Sequence, residues 1–579
     1  MPEETPHPAP ATMGVGEGPA PADISRGGEG KEKESNKTAD ARPAEYIPPR
    51  SILIIGSGVF GLSTALALTR RPEIPPDTPI TVVDRSPEPG VFPARDASSI
   101  DSSRIIRADY ADPAYTRLAA EAQNHWRRDP EDPESLGGGG RYSESGLLLA
   151  AELGDDGATL RPDGKPTGLG YTKRSWVNAL MLAHAEGRPL STVRLLPHPL
   201  VIKRVTGTDG EWADWGYLNQ AAGWADAEKS MDWLYKKVVE TGRVDFINGT
   251  VEALNTEVET QSQEEGEAGN NKAQDHRVTG ARLSDGRSLS ADLVIMAAGA
   301  WSPSLVDLSG QAIATGQCVA YLRLTEDEQA KLANMPVCLN LTDGCFIIPP
   351  RDCVLKIARH SYGYLNPQAV PNQPLKELPA SSNDRTASAA QGSSPQTGPE
   401  EEEEGRKKKK AIVSQPRTHL TDSSLEIPAE GAADLRRALR RMIPWPELAD
   451  RPFFKTRLCW YTDTATGDWI IDYHPSYKNL FVATGGSGHA FKFLPILGDK
   501  VVDCLVGRCP QGFREKWKWK GGLRIKDRPA TKDGGSLGGL TEAYREDLAV
   551  EHSVATEDGS RGGKAGQILE VELSKSGRT

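Results

Sequence analysis

The stretch Ser51-Ile-Leu-Ile-Ile-Gly56-Ser57-Gly58-Val59-Phe60-Gly61 decides the fold. The apolar run Ser51–Ile55 reads as a buried strand, Gly56–Gly61 as a tight turn, and Val59–Thr69 as a helix; Ile80-Thr-Val-Val-Asp84 reads as a second strand. A G-x-G-x-x-G turn inside a β-α-β unit is a dinucleotide fingerprint. Gly56 permits the strand-to-helix turn, Gly58 lets the backbone approach a pyrophosphate, and Gly61 lets helix and strand pack closely. Ser57, Val59 and Phe60 complete the phosphate-facing turn, where the helix N-terminus presents unpaired N–H groups. Asp84 closes the second strand within reach of ribose hydroxyls, and Arg85 follows it.

Working outward, residues 1–47 are rich in Pro, Gly, Glu and Lys and read as a disordered tail, because they bury too little apolar surface to offset the entropy of ordering. Residues 48–510 carry the ordered patterning. Within them 371–411 reads as a disordered insertion, with Glu400–Glu404 followed by Arg406 and Lys407–Lys410; residues 511–579 read as a polar C-terminal extension. Helical periodicity covers Asp109–Trp126, Lys173–Ala185 and Ala225–Glu240, the last leading to a strand at Val244–Ile247. Glu257–His276 reads as a polar loop tip. Arg277–Leu283 and Ser288–Met296 read as a strand pair about the turn Asp285-Gly286.

The formal net charge of −11 gives no general reason to bind nucleic acid or an anionic membrane. The seven cysteines contain no CxxC pair, so neither a metal centre nor a disulfide framework is indicated. With no apolar leader, no membrane-length apolar run and no Ser-Lys-Leu-like terminus, the expectation is a cytoplasmic monomer.

The fingerprint does not choose between FAD and NAD. Two later segments point to FAD. The strand Ala291–Met296 ends in Ala297-Ala298-Gly299-Ala300-Trp301, far downstream of the first unit, where a glutathione-reductase-like fold brings the chain back beside its cofactor. Leu480–Thr484 then leads through Gly485-Gly486-Ser487-Gly488-His489 to Lys492, a strand, glycine turn and helix whose backbone N–H groups suit flavin oxygens.

With these segments in place, the chain resembles the monomeric sarcosine oxidase and fructosyl-amino-acid oxidase (amadoriase) family of flavoenzymes. It is most similar to fungal sarcosine, pipecolate or saccharopine oxidase-like members. The matching segments are Ser98-Ser99, Ser103-Arg104-Ile-Ile-Arg107, Trp301, Lys356-Ile-Ala-Arg-His360, Cys459-Trp-Tyr-Thr462, Ile470–Pro475 and Gly485–Lys492, in order along residues 50–510; the tail Asp558-Gly-Ser-Arg-Gly-Gly563 also matches the ends of fungal relatives. The resemblance implies an α/β fold. In it a Rossmann-type FAD domain is interleaved with an α+β substrate domain that carries a mixed or antiparallel sheet.

It further implies that Arg85, Ser98, Ser99, Arg104, Val251, Ala298, Gly299, Trp301, Gly485, Gly486, Gly488, His489 and Lys492 surround FAD, and that Cys459 bonds covalently to it. Arg107 and Lys492 match a pair that holds a substrate carboxylate, a fork and a point charge on one anion. Lys356 matches a lysine that assists reaction with oxygen, and His360 a histidine on the substrate side. The implied activity is oxidation of the C–N bond of a secondary amine in an N-substituted amino acid, with O2 as acceptor and an imine and hydrogen peroxide as products. An alternative is a tailoring oxidase or dehydrogenase acting on a secondary-metabolite amine. The sequence departs from the family pattern at Ala490, where glycine is usual, and at Ile100, where histidine is usual.

Overall fold

The computed structural model describes residues 46–260, 274–372, 374–376, 378, 411–520, 536–537, 540–541 and 558–575. Residues 1–45 of the tail expected at 1–47, most of the 371–411 insertion, the centre of the Glu257–His276 segment and most of 511–579 lie outside the described residues.

Ile52–Ile55 is buried along its whole length because it is the centre of a six-stranded sheet. Ile80–Asp84 and Leu293–Met296 pair with it in parallel on either side, Val244–Asn248 extends one edge, and Leu480–Thr484 then Ile470–Tyr473 extend the other. A strand buried on both faces has to be apolar throughout, which is how this one reads. The register sets Ile55 beside both Val83 and Met296, so three parallel strands end level with one another. Gly56 stands at that edge with φ +102°, and a Cβ there would come 2.5 Å from the Ala297 carbonyl oxygen. A Cβ on Gly61 would come 1.8 Å from the Gly56 carbonyl oxygen, so close helix–strand contact excludes any side chain.

The helix Val59–Leu68 packs on this sheet and against the helix Leu494–Leu505. The expected helices appear with later starts where a capping residue sets them: Asp112 caps Pro113–Arg127, and Asp226 caps Ala227–Glu240. Thr167 starts Gly168–Ala185 earlier than its periodicity shows. Asp109, Tyr110 and Ala111 are thereby released from the helix expected over Asp109–Trp126.

A ten-stranded sheet forms the second layer. It is built on the long antiparallel pair Ala312–Arg323 and Lys455–Thr464, continued through Val354–Arg359 and Cys345–Arg351 to Val337–Asn340, Leu147–Ala151, Trp215–Asn219 and Val193–Leu196. Tyr364–Leu365 and Gln567–Ile568 form its other edge. Strands of the parallel sheet and of the ten-stranded sheet alternate along the chain, which is the interleaving expected.

Three expectations require correction. The strand read over Ser288–Met296 is two strands: Ser288–Ser290 pairs with Gln274–Leu283, whereas Leu293–Met296 enters the parallel sheet. The break falls at Asp292, whose carboxylate takes Arg50 N and Nε at 3.1 and 2.7 Å while its own amide donates to Ser51 Oγ at 3.0 Å. The segment read as a loop tip contributes strand at both ends, since Val251–Thr260 pairs with Gln274–Leu283. The core also passes the boundary expected at 510: Phe513 and Trp517 are buried with the helix Leu494–Leu505, and Leu569 is buried in the substrate layer. Among the described residues no helix is long and apolar enough to cross a membrane.

The contact between the helices Val59–Leu68 and Leu494–Leu505 rests on Gly498, where a Cβ would lie 1.9 Å from the Ser63 carbonyl oxygen. In an open helix Gly→Ala gains about 1 kcal/mol. Here overpacking of about 1–3 kcal/mol outweighs that gain. Gly498→Ala is expected to lower the urea unfolding midpoint; an unchanged or raised midpoint contradicts the packing described.

Candidate active site

A cavity of about 400 Å³ opens at the level strand ends. Gly56, Gly58, Val59 and Phe60 line it from the fingerprint, Asp84 and Arg85 from the second strand, and Ser98, Ser99 and Arg104 from the segment that follows. Val251, Ala298, Gly299 and Trp301 line it from the far side, and Gly486, Gly488 and His489 close it. Ser57, Gly61 and Gly485 do not reach its wall. Ser57 donates its amide to Asp84 Oδ2 at 2.8 Å and its hydroxyl to the same oxygen, so it shapes the turn and orients the acid. Arg85 is fixed on both sides, by Asp96 at 2.9 and 3.0 Å and by the Trp301 ring at 3.9 Å.

The cavity fits a dinucleotide. Open space remains where a Cβ on Gly58 would stand, at the N-terminus of the helix Val59–Leu68. Ser99 Oγ is buried against the cavity without a hydrogen-bond partner.

A second cavity of about 80 Å³ adjoins the first, sharing Arg104, Tyr461, Gly488, His489 and Phe491 with it. Arg107, Lys356, His360, Cys459 and Lys492 all line it. Lys356 lies in the strand Val354–Arg359, and period-two alternation carries His360 to the same side, as read from sequence. Cys459 comes from the long strand Lys455–Thr464; its sulfur accepts from Arg104 Nη2 at 3.4 Å and lies 3.9 Å from the Ser98 carbonyl oxygen.

Asp101, which the sequence reading missed, organises the near side. Its buried carboxylate accepts from Lys356 Nζ at 2.7 Å, Tyr321 OH at 2.6 Å, the Ser102 amide at 2.7 Å, and Arg104. Lys356 Nζ also donates to the Ser103 carbonyl at 2.7 Å. Burial works against the charge on Asp101, but Lys356, Arg104 and Arg457 prevail and hold its carboxyl well below the ordinary range. Burial lowers Lys356 to about 8, with Asp101 opposing that effect.

The far side is cationic. Arg107 and Lys492 are both buried, and among the described residues neither forms a salt bridge; Arg107 Nη1 has no hydrogen-bond partner. Trp126 Nε1 donates to the Lys492 carbonyl at 2.7 Å, so the helix Pro113–Arg127 fixes the backbone that carries this lysine. Lys492 Nζ donates to Tyr110 OH at 3.0 Å and to the His489 carbonyl at 2.9 Å. Burial and the charge of Arg107 push its ammonium well below the ordinary lysine range.

The proton positions along this chain follow from one carbonyl. His489 Nε2 faces the Gly467 carbonyl at 2.7 Å, which can only accept, so Nε2 carries the hydrogen. Burial, then the neighbouring Lys492, holds His489 well below its ordinary value and therefore neutral. Nδ1 accepts from Tyr110 OH at 3.0 Å, and the Tyr110 oxygen in turn accepts from Lys492. His360 is likewise kept neutral, by burial first and then by Arg561, Arg107, Lys492 and His489. Tyr110 lost its signal to the helix expected over it; Asp101 stood unremarked between Ser99 and Arg104.

The comparisons with known proteins agree with this geometry. The family model described as DAO, FAD dependent oxidoreductase, matches residues 51–504. The amino acid oxidase imqH of Aspergillus flavus is 32% identical over 515 residues, covering 82% of this chain and 98% of its own. The L-saccharopine oxidase of Schizosaccharomyces pombe is 28% identical over 472 residues, covering 81% and 93%. Among solved structures, the fructosamine oxidase of Aspergillus fumigatus (Amadoriase II) superposes with a TM-score of 0.57 at 26% identity, covering 81% of this chain and 89% of its own. The family match runs through the residues that line both cavities, and the chain belongs to the DAO family of FAD dependent oxidoreductases.

Proposed function

We propose that the protein oxidises the C–N bond of a secondary amine in an N-substituted amino acid, passing two electrons and two protons to O2 and yielding an imine and hydrogen peroxide. The observation that carries this reading is the buried pair Arg107 and Lys492, which has no carboxylate of its own among the described residues, in a small cavity adjoining the dinucleotide cavity. FAD, when bound, supplies the two-electron acceptor. The similarity to an amino acid oxidase, an L-saccharopine oxidase and a fructosamine oxidase supports the same substrate class.

The residues have distinct tasks. Arg107 and Lys492 hold the carboxylate and so orient the carbon beside nitrogen. Neutral His360 and His489 add no further positive charge. The surrounding cations favour the uncharged amine over its ammonium form, and the uncharged form has the lone pair that C–H oxidation requires. Lys356 places a cation where negative charge develops on oxygen. Cys459 provides the sulfur for a covalent bond to FAD.

A panel of N-alkyl, cyclic and glycated amino acids, read by bleaching of the bound flavin and by peroxide release, tests the reaction; no bleaching with any of them sinks it. Arg107→Met removes a charged, desolvated contact of about 2–4 kcal/mol, so kcat/KM is expected to fall roughly 30- to 1000-fold, mostly through KM. After acid precipitation, yellow colour should stay with the wild-type pellet and move to the supernatant for Cys459→Ala; colour in the wild-type supernatant refutes the bond. Oxygen uptake should decline as pH rises through about 8, where Lys356 loses its proton. Asp101→Asn removes the group that raises Lys356, so this decline should move to lower pH; a decline that stays in place, or moves up, rules out the role given to Lys356.

A further inference from the structure

The segment Asp558–Gly563 lies outside the residues matched by the family model, yet it is hydrogen-bonded to the backbone of a residue lining each cavity, Ser487 in the first and His360 in the second. Asp558 folds it into a turn by accepting from the Ser560 amide at 2.9 Å and the Ser560 hydroxyl at 2.6 Å. The Gly562 amide donates to the His360 carbonyl at 3.0 Å, and the Tyr362 amide donates to the Gly562 carbonyl at 3.1 Å. Three backbones meet here without room for side chains. A Cβ on Gly562 would come 2.0 Å from the Asp343 carbonyl oxygen, and one on Gly344 would come 2.1 Å from that of His360.

Arg561 enters through this junction, and its side chain is 1% exposed. Its Nη2 donates to Asp463 Oδ1 at 2.6 Å and to the Ser487 carbonyl at 2.8 Å; its Nη1 donates to the Ser361 carbonyl at 3.2 Å. Ser487 sits in the glycine turn that lines the dinucleotide cavity, and Ser361 follows His360 in the second. The Asp463 carboxylate is held from its other side by Thr315 Oγ1 at 2.6 Å. Gln317 links Thr315 to Ser361: its Nε2 donates to Thr315 Oγ1 at 3.0 Å, and its Oε1 accepts from the Ser361 amide at 3.0 Å. One planar cation therefore joins the turn beside the cofactor to the end of the strand that carries Lys356 and His360.

We propose that Asp558–Gly563 is a component of the active site and that Arg561 is a positioning residue, which fixes the Ser487 turn and the His360 strand end relative to each other. The inference rests on reading the two cavities as the cofactor and substrate sites. Arg561 touches neither ligand in this assignment. A fork with fixed geometry suits three acceptors on different elements, which a lysine point charge does not.

The test uses full-length holoprotein with Arg561→Gln and Arg561→Lys. A displaced strand end is expected to slow flavin reduction by a secondary amine roughly 10- to 100-fold. KM and the benzoate dissociation constant should rise severalfold, by less than the rate falls, because Arg107 and Lys492 remain while the His360 wall is displaced. Arg561→Lys should recover only part of the loss, and added guanidinium should partly rescue Arg561→Ala. The groups facing His360 are Arg561, Arg107, Lys492 and His489, with the Tyr461 ring 6.0 Å away. Removing one of those cations should move any His360 limb of the reductive pH profile to higher pH in Arg561→Gln and leave it in place in Arg561→Lys.

If Arg561→Gln fails to fold because Asp463 is left buried and unpaired, Arg561→Gln/Asp463→Asn removes both charges and is assayed in its place. Benzoate titration, followed in the flavin absorption band, reads the same site without turnover. If the wild type oxidises no secondary amine, the proposed reaction fails while this titration still tests the present inference. A reduction rate, pH profile and benzoate dissociation constant all within twofold of wild type in the folded Arg561→Gln protein overturn it.

Discussion

A carboxylate buried alone costs many kcal/mol, so a fold that buries Asp101 has to bring cations to it. It does so from three directions. Arg104 comes from the segment that runs beside the dinucleotide cavity, Lys356 from the strand Val354–Arg359, and Arg457 from the long strand Lys455–Thr464; Tyr321 adds a neutral donor. The same contacts therefore hold the Ser98–Arg104 segment against the substrate sheet and form one wall of the second cavity. Removing one partner of such a buried pair typically costs about 3–5 kcal/mol, because the other charge is left stranded. The contacts that shape this cavity wall are also the contacts that hold the tertiary structure together here.

The charges around the second cavity do not cancel. Asp101 answers Lys356 and Arg104, and Asp463 answers Arg561. Asp109 lies near Arg107, but its carboxylate is engaged by Tyr217 OH at 2.9 Å and Asn219 Nδ2 at 3.0 Å, and burial pushes its carboxyl up. Arg107 and Lys492 are left facing each other. An anion placed between them would relieve their repulsion, which is the physical basis for proposing that the pair holds a substrate carboxylate. The excess also explains the histidines: further protonation would add like charge in a desolvated space, and both rings are held neutral.

The parallel layer was legible because its constraints are local. A strand buried on both faces reads as an apolar run, and two of the fingerprint glycines, Gly56 and Gly61, stand where the Ala297 and Gly56 carbonyls leave no room. What was missed depended on distant partners. Alternation continues through Ala291-Asp292, and only the contacts with Arg50 and Ser51 divide one apparent strand into two. Arg107, Lys356, His360 and Lys492 could be named from a family resemblance. Asp101 could not be picked out, since its partners Tyr321 and Lys356 lie 220 and 255 residues away. Arg561 sits in a polar stretch whose composition resembles a solvated tail. Its burial becomes apparent only once Gln567–Ile568 is seen to add an edge strand to the substrate sheet.

The turn after Leu480–Thr484 shows how the chain tolerates its departure from the family pattern. Left-handed backbone is needed at Gly485, Ser487 and Gly488, with φ of 75°, 46° and 69°, and not at Ala490, which begins the 3-10 turn Ala490–Phe493. The missing glycine therefore costs no backbone strain, and the added methyl is buried at the edge of the dinucleotide cavity. The strained position is Ser487, where a side chain in the left-handed region costs about 1–2 kcal/mol. It is met from three sides: the Ser487 amide donates to the Thr462 carbonyl at 2.9 Å, Oγ donates to the Gly485 carbonyl at 3.0 Å, and the carbonyl accepts from Arg561. A glycine would adopt this conformation without strain but would also adopt others. A serine tied on three sides holds the turn that lines the first cavity in one arrangement, and one of those ties comes from the C-terminal segment.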